Sequence, residues 1–351
     1  MKKLLSLVLA LFMVLSMTSV LAEGNAQVFW YNMSDVYLSS VREYLNAAFD
    51  SKGISYTDQD GGAVQATQTD QITTAIASGT DLLVVNIVET GADGISQNVV
   101  DSAKAADIPL VFFNRSISKE VVQSYDKATF VGTNYEDAGK MEGDMVGNYL
   151  LADYDKYDLN GDGVISYVMF KGDEANQEAI ARTKYGVENA DAILTAAGKP
   201  ALKFYDEANA AKYLVDQAGT WSRQVAQDYM TTILAEYTVD NKNMVELVIA
   251  NNDEMAIGAI QALQAMGFNN GEGTLTIPVF GVDATDDAKA MIADGFMAGT
   301  IKQDAEGMAE AIATVSANLI EGKDMYEGLN ENFTVEEGWK VVIPYAEYTG
   351  E

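Results

Sequence analysis

The sequence of 351 residues contains no cysteine and no histidine. Without cysteine the chain has no disulfide, no thiol nucleophile and no lipobox cysteine for lipid attachment. Without histidine it has no Ser-His-Asp triad, and ordinary zinc sites lose both of their usual ligand types. These absences exclude several classes of hydrolase and of metalloprotein.

Basic residues are also scarce, with 22 Lys and Arg against 52 Asp and Glu and a net charge of −30. Such a surface repels nucleic acid and anionic lipid. We therefore expect no nucleic-acid partner.

The N-terminus has the pattern of a signal peptide. Lys2 and Lys3 precede an apolar run over 4–15, and small residues lead to Ala22. This predicts export with cleavage after Ala22, which leaves a mature charge of about −32. The alternative is a membrane anchor, but the run is too short to span. No other segment approaches that length, so we expect a mature chain that is not embedded in a membrane.

Apolar runs alternate with helical patterns along the rest of the chain. Helices are predicted over 37–49 and 92–106. Near-continuous apolar strands between helices are typical of parallel sheets covered on both faces, so we predict an α/β fold. The predicted strands are 28–31, 81–88, 108–114, 165–170, 245–250 and 277–283.

Three of these strands end on or just before a polar side chain, namely Asn114, Asn252 and Asp283. Ligands of open parallel sheets lie beyond the carboxyl ends of the strands, which makes these residues candidates for a binding site. The alternative is that they begin turns or cap helices.

The segment Asp158-Leu159-Asn160-Gly161-Asp162-Gly163 matches the first half of an EF-hand calcium loop. The twelfth position should be glutamate, but Met169 stands there. The segment is therefore either a polar turn or a calcium loop closed by a distant carboxylate.

Several segments together resemble the periplasmic galactose/glucose-binding proteins, over about residues 28–345. The resemblance implies two Rossmann-like lobes with parallel sheets, joined by three crossings near 132–133, 302–304 and 341–343. The first lobe would comprise 23–132 and 304–341, and the second 133–303 and 342–351. The matching segments are 111–114, 124–128, 131–133, 248–253 and 277–284.

The resemblance also implies a sugar site between the lobes. Trp221 and Tyr37 match the aromatic residues that stack on the sugar, Asp35 matches the acceptor for its 4-hydroxyl, and Arg182 matches the donor near its ring oxygen. Asn114, Asn252 and Asp283 match polar residues at the rim of the sugar. The full set is Asp35, Tyr37, Asn114, Asn176, Glu178, Arg182, Trp221, Asn252, Asp283 and Gln303.

Four of these positions depart from the family pattern. Tyr37 replaces phenylalanine, Asn176 replaces histidine, Glu178 replaces aspartate and Gln303 replaces asparagine. The departures leave open which hexose is preferred.

For the loop, the resemblance implies a structural calcium ion. Its closing carboxylate would be Glu246, and Ser166 replaces a glutamine ligand of the family. The expected ligand residues are Asp158, Asn160, Asp162, Val164 (through its carbonyl), Ser166 and Glu246.

The function implied is that of a periplasmic, monomeric sugar-binding protein and not an enzyme. It would deliver galactose or glucose to an ABC permease, with a chemoreceptor as a further partner. Alternatives are the same fold binding ribose, xylose or a furanose, or an exported glycosidase. A DNA-binding regulator of the same superfamily would need a helix-turn-helix head, and here a signal peptide takes that place.

Overall fold

The computed structural model describes residues 24–350, and the predicted signal peptide lies outside them. The strands are β1 Gly24–Trp30, β2 Ile54–Asp60, β3 Leu82–Val85, β4 Leu110–Phe113, β5 Ala128–Gly132, β6 Ser166–Lys171, β7 Lys203–Phe204, β8 Leu214–Val215, β9 Leu247–Ala250, β10 Val279–Asp283, β11 Gly299–Lys302, β12 Thr334–Glu336, β13 Lys340–Val342 and β14 Ala346–Tyr348. The helices are α1 Val36–Lys52, α2 Gln65–Ala77, α3 Asp93–Ala105, α4 Lys119–Val122, α5 Tyr135–Ala152, α6 Tyr154–Tyr157, α7 Gln177–Ala196, α8 Arg223–Glu236, α9 Asp253–Ala265, α10 Asp286–Ala293 and α11 Ala305–Glu321.

The strands form two sheets, each the centre of one lobe. The first sheet has the order β12-β13-β5-β4-β3-β1-β2, and the second has the order β14-β11-β10-β9-β6-β7 with β8 beside β6. All neighbours are parallel except the pairs β12–β13 and β11–β14. The predicted α/β class with parallel sheets is confirmed.

The chain passes between the two sheets three times. It leaves the first sheet after Gly132, leaves the second after Lys302 and leaves the first again after Val342. We call these three points the crossings. Ile343 donates its amide to the carbonyl of Gly132 at 2.8 Å, so the first and third crossings lie side by side.

Helices cover both faces of each sheet, which explains the apolar strands. Every residue of β3, β4 and β9 is buried. In the first lobe α1 and α11 pack on one face while α2 and α3 pack on the other. In the second lobe α8 and α9 oppose α5 and α7. A strand buried on both faces cannot alternate polar and apolar residues, so it appears as an apolar run.

The six predicted strands are all present, with ends that differ by a few residues. The predicted helices 37–49 and 92–106 correspond to α1 and α3. The first of them ends at Gly53, whose φ of 72° lies in the left-handed region that favours glycine. Within the described part of the chain, no helix is long and apolar enough to cross a membrane.

Helices α8 and α9 approach so closely that one contact point requires glycine. A β-carbon on Gly258 would overlap the backbone carbonyl oxygen of Arg223. Backbone cannot move aside as a flexible side chain can, so any larger residue must separate the two helices.

We expect Gly258→Ala to lower the free energy of unfolding by about 1–3 kcal/mol, because the added methyl overpacks this interface. Urea denaturation measures the change. The control is Gly94→Ala in α3, where an added β-carbon meets nothing within 4 Å. A Gly258→Ala protein as stable as the native one would contradict this account of the packing.

Candidate functional site

A cavity lies between the two lobes at the carboxyl ends of their strands. Its empty volume is about 390 Å³, part of it open to solvent. All ten residues predicted for the sugar site line it, and so do three that were not predicted. The lining residues are Tyr31, Asp35, Tyr37, Leu38, Asn114, Arg115, Asn176, Glu178, Arg182, Trp221, Asn252, Asp283 and Gln303.

Two aromatic side chains of the cavity come from opposite lobes. Tyr37 is on α1 of the first lobe, and its hydroxyl donates to Met308 Sδ at 3.7 Å. Trp221 precedes α8 of the second lobe and is 9% exposed. Its indole packs directly on Gly172, where a β-carbon would overlap the ring. The indole of Trp221 can occupy this position only because residue 172 has no side chain.

Three lining residues have positive φ angles, a backbone conformation that favours glycine, although none of them is glycine. The φ angles are 63° at Asn114, 58° at Trp221 and 125° at Asp283. Such conformations cost of order 1–3 kcal/mol each and concentrate at functional sites. Here they direct the side chains of Asn114, directly after β4, and Asp283, at the end of β10, into the space between the lobes.

Three polar lining residues cap helices that begin at the cavity. Asp35 Oδ1 accepts from the amide of Leu38, Asn176 Oδ1 from that of Ala179, and Asn252 Oδ1 from that of Met255. Asn252 therefore caps a helix, as the alternative interpretation stated, and it also lines the cavity. One side chain does both because the cap uses only one of its polar atoms.

The cavity contains a cluster around Tyr31 that sequence reasoning missed. The Tyr31 hydroxyl donates to Asp35 Oδ2 at 2.7 Å. The Arg115 guanidinium lies 4.3 Å from the centre of the Tyr31 ring and bonds to Asp173 at 2.9 Å. No motif singles out Tyr31 or Arg115. The only signal in the sequence was their position near the ends of strands: Tyr31 directly follows β1, and Arg115 directly follows Asn114.

Two polar contacts join the lobes across the cavity. One is the Arg115–Asp173 ion pair. In the other, Glu178 Oε1 accepts from both the amide and the hydroxyl of Ser116, at 3.1 and 2.5 Å. The lobes are therefore in contact on this side of the cavity.

Arg182 is 4% exposed and lies at the base of the cavity. Its Nη1 donates to the carbonyl of Asn251 and its Nη2 to Gln303 Oε1, both at 2.8 Å. Asp283 Oδ1 is 4.0 Å from Nη1. Within residues 24–350, Arg182 Nε and Glu178 Oε2 are buried without a hydrogen-bond partner. A buried donor and a buried acceptor left free are costly unless something else binds them.

Burial raises the pKa of several carboxyl groups near the cavity. Burial raises the pKa of Asp283 well above its usual range, although Arg182 opposes the rise. Burial also raises the pKa of Asp35, and it raises that of Asp253 behind the cavity to about 7. Glu142 on α5 is fully buried, and its pKa is raised well above the usual range for the same reason.

The segment expected to bind calcium is a tight loop against β9. Asp158 accepts from the amides of Gly161 and Gly163 at 2.8 and 2.9 Å. Glu246, distant in sequence, reaches the loop, and its two oxygens accept from the amides of Asn160 and Ser166, both at 2.8 Å.

Two side chains that were expected to bind calcium form hydrogen bonds with the backbone of Met244 instead. Asn160 pairs its amide with the backbone of Met244, and the Ser166 hydroxyl also donates to the Met244 carbonyl. Over residues 24–350, no three Asp or Glu side chains are grouped as metal ligands. Burial raises the pKa of Glu246, and the negative charge of the nearby Asp158 raises it further.

We expect the ligand-free protein to become more heat-stable as the pH falls from 8 to 5. A carboxyl group whose folded pKa exceeds its unfolded pKa binds protons preferentially in the native state. Its stabilising contribution is present below the unfolded pKa and is lost as the pH rises through the folded one, about 7 for Asp253. The chain has no histidine to titrate in this window.

Differential scanning fluorimetry across this range tests that expectation. Glu142→Gln should flatten the pH dependence and raise the melting temperature at pH 8, whereas the exposed Glu43→Gln should change neither. A melting temperature that rises with pH over this window would show the sign to be wrong.

Comparison with known proteins agrees with this architecture. Residues 26–324 match the family described as the periplasmic binding protein domain. The D-galactose/methyl-galactoside binding periplasmic protein MglB of Haemophilus influenzae is 31% identical over 313 residues, 88% of this chain and 86% of that protein. A putative rhizopine-binding protein of Rhizobium meliloti is 31% identical over 77% of this chain and 76% of that protein.

Solved structures give the same fold. An ABC transporter solute-binding protein from Bacillus halodurans with bound myo-inositol superimposes with a TM-score of 0.69 at 20% identity, over 93% of this chain and 95% of that one. These matching proteins are named as binding proteins, and none of them is named as an enzyme. The chain therefore belongs to the periplasmic binding protein family, and it is a solute-binding protein whose two lobes enclose a polar cavity.

Proposed function

We propose that this protein binds a monosaccharide of the galactose or glucose type between its lobes and delivers it, in the periplasm, to the permease of an ABC importer. One observation carries the proposal: a single cavity is lined by three aromatic side chains drawn from both lobes and by nine other polar side chains. The matching relative from Haemophilus influenzae, named for D-galactose and methyl-galactoside, supports this class of ligand.

The chemistry of the cavity suits a pyranose. A pyranose ring has apolar C–H faces and a rim of hydroxyls, so a site needs flat apolar surfaces and a ring of donors and acceptors. Trp221 and Tyr37 provide the surfaces. Arg182 Nε is a free buried donor and Glu178 Oε2 a free buried acceptor in the described residues. Such pairs discriminate strongly against ligands that leave them unsatisfied.

The departures from the family pattern bear on which sugar is preferred. Glu178 is one methylene longer than the family aspartate, and one of its oxygens is used by Ser116. Gln303 is bonded to Arg182, and the Asn176 carbonyl caps α7. Each of these side chains therefore has fewer atoms free for the ligand, so we infer an order of preference among hexoses that differs from the family's.

We expect Trp221→Ala to weaken galactose binding by about 2 kcal/mol or more, roughly 30-fold, because an aromatic side chain at the centre of a binding site is a hot spot. Isothermal titration of the mature protein with galactose, glucose, ribose and xylose measures the affinities. Trp339→Ala is the matched control, because Trp339 lies in the first lobe against Phe130 and away from the cavity.

Saturable binding of galactose or glucose that Trp221→Ala reduces and Trp339→Ala preserves would support the proposal. Binding of ribose or xylose alone would show that the ligand of this site is a pentose and not a hexose. Absence of heat with all four sugars would contradict the proposed ligand class.

We further propose that the loop of Asp158 binds a calcium ion of structural importance. Asp158, Asp162, Glu246 and the carbonyl of Val164 would hold it, while Asn160 and Ser166 stay bonded to Met244. Support comes from the sequence pattern and from the burial of Glu246 against the loop beside Asp158. The ion would neutralise these carboxylates and stabilise the second lobe.

If calcium binds, the melting temperature should rise on adding calcium to chelator-treated protein, because a ligand of the native state stabilises it. Glu246→Gln should abolish this rise while leaving sugar binding intact. An identical melting temperature with calcium and with chelator would show that the loop is a polar turn.

A further inference from the structure

All three crossings meet at one buried guanidinium. Thr133 directly follows the first crossing, Gln303 the second, and Tyr345 lies three residues beyond the third. Each of these residues contributes one polar group to the surroundings of Arg182. Thr133, Gln303 and Arg182 are 2–4% exposed, and Tyr345 is half-buried.

The Tyr345 hydroxyl is at the centre of this cluster. It accepts from Thr133 Oγ1 at 2.9 Å and from Arg182 Nη2 at 3.2 Å. It donates to Gln303 Oε1 at 3.4 Å. A phenol has one hydrogen and two acceptor positions, so its capacity is filled by these three bonds. Burial raises the pKa of Tyr345, which keeps the donating hydrogen in place.

We propose that Tyr345 is a positioning residue: its hydroxyl ties Arg182, at the base of the cavity, to all three crossings and so couples the ligand site to lobe closure. The proposal rests on the proposed function for the identity of the ligand, but not for the network itself. Sequence comparison assigned a role to Arg182 and Gln303, and none to Tyr345 or Thr133.

The coupling would arise because the backbone at the three crossings must change conformation when the lobes move apart. Lobe movement about a hinge is absorbed by φ and ψ changes in a few connecting residues. Such changes would alter the distances that Tyr345 now satisfies with Thr133, Gln303 and Arg182. A ligand that engages the free Nε of Arg182 would fix the guanidinium, and through Tyr345 it would favour the arrangement of crossings seen here.

Two variants remove the network with little change of shape: Tyr345→Phe deletes the central hydroxyl, and Thr133→Val deletes the hydroxyl that donates to it. Thr133→Ser keeps that hydroxyl and should restore native behaviour. The control is Tyr348→Phe, three residues further along the same segment on β14. The hydroxyl of Tyr348 takes part in none of the bonds of this network.

The first measurement needs no ligand. Hydrogen exchange followed by mass spectrometry reports on peptides that cover 133–136, 303–306 and 343–347. We expect exchange at the crossings to be about tenfold faster in Tyr345→Phe and Thr133→Val than in the native protein, as for the loss of one net hydrogen bond. Tyr348→Phe and Thr133→Ser should match the native rates. Unchanged exchange in Tyr345→Phe would overturn the proposal, whatever sugar the protein binds.

The second measurement is the affinity for the sugar that the native protein binds. Tyr345→Phe should weaken it about tenfold, mainly through faster dissociation, while the melting temperature of the ligand-free protein stays near the native value. Faster exchange with unchanged affinity and dissociation would show that the network holds the crossings but not the ligand, and would refute the coupling. A native protein that binds no sugar would defeat the proposed function and leave the exchange result to decide on the network.

Discussion

The buried guanidinium of Arg182 is the constraint on which the site depends. A charge that is taken out of water costs several kcal/mol unless hydrogen bonds and opposite charge compensate for it. The compensation here comes from the second lobe and from the crossings: the Asn251 carbonyl, Gln303 and Tyr345, with Asp283 at 4.0 Å. One hydrogen-bonded network therefore includes both the base of the cavity and the crossings between the lobes.

The walls of the cavity are held by backbone requirements. Trp221 needs the absence of a side chain at Gly172, and Asn114 and Asp283 need left-handed backbones at the ends of β4 and β10. Residues in such conformations persist only where the surrounding structure enforces them. The parallel strands provide that support, because Phe113, next to Asn114, pairs with Val131 of β5 and Asp283 pairs with Lys302 of β11. The side chains that would touch a ligand thus start from rigid positions.

The fold could be predicted from the sequence to the extent that burial leaves a pattern. Strands such as β4 and β9 are buried on both faces, so their apolar runs were visible, whereas β2 is an edge strand with exposed polar residues and gave no signal. Asn114 and Asp283 could be named because they stand at the carboxyl ends of apolar strands, where ligands of open parallel sheets lie.

Contacts between distant residues were not predictable in the same way. Arg115 looks like an ordinary turn residue until Asp173 is placed beside it, and Tyr345 is 163 residues from Arg182 in the chain. For the loop, the residue types suggested ligands, but the orientation of Asn160 depends on the backbone of Met244, which no local pattern reports.

The most direct test of the account is a crystal structure of the mature protein grown with galactose or glucose, whichever binds more tightly. We expect one sugar ring between Trp221 and Tyr37, with Arg182 Nε and Glu178 Oε2 bonded to it. A sugar bound elsewhere, or a cleft that stays empty at saturating sugar, would contradict the assignment of this cavity.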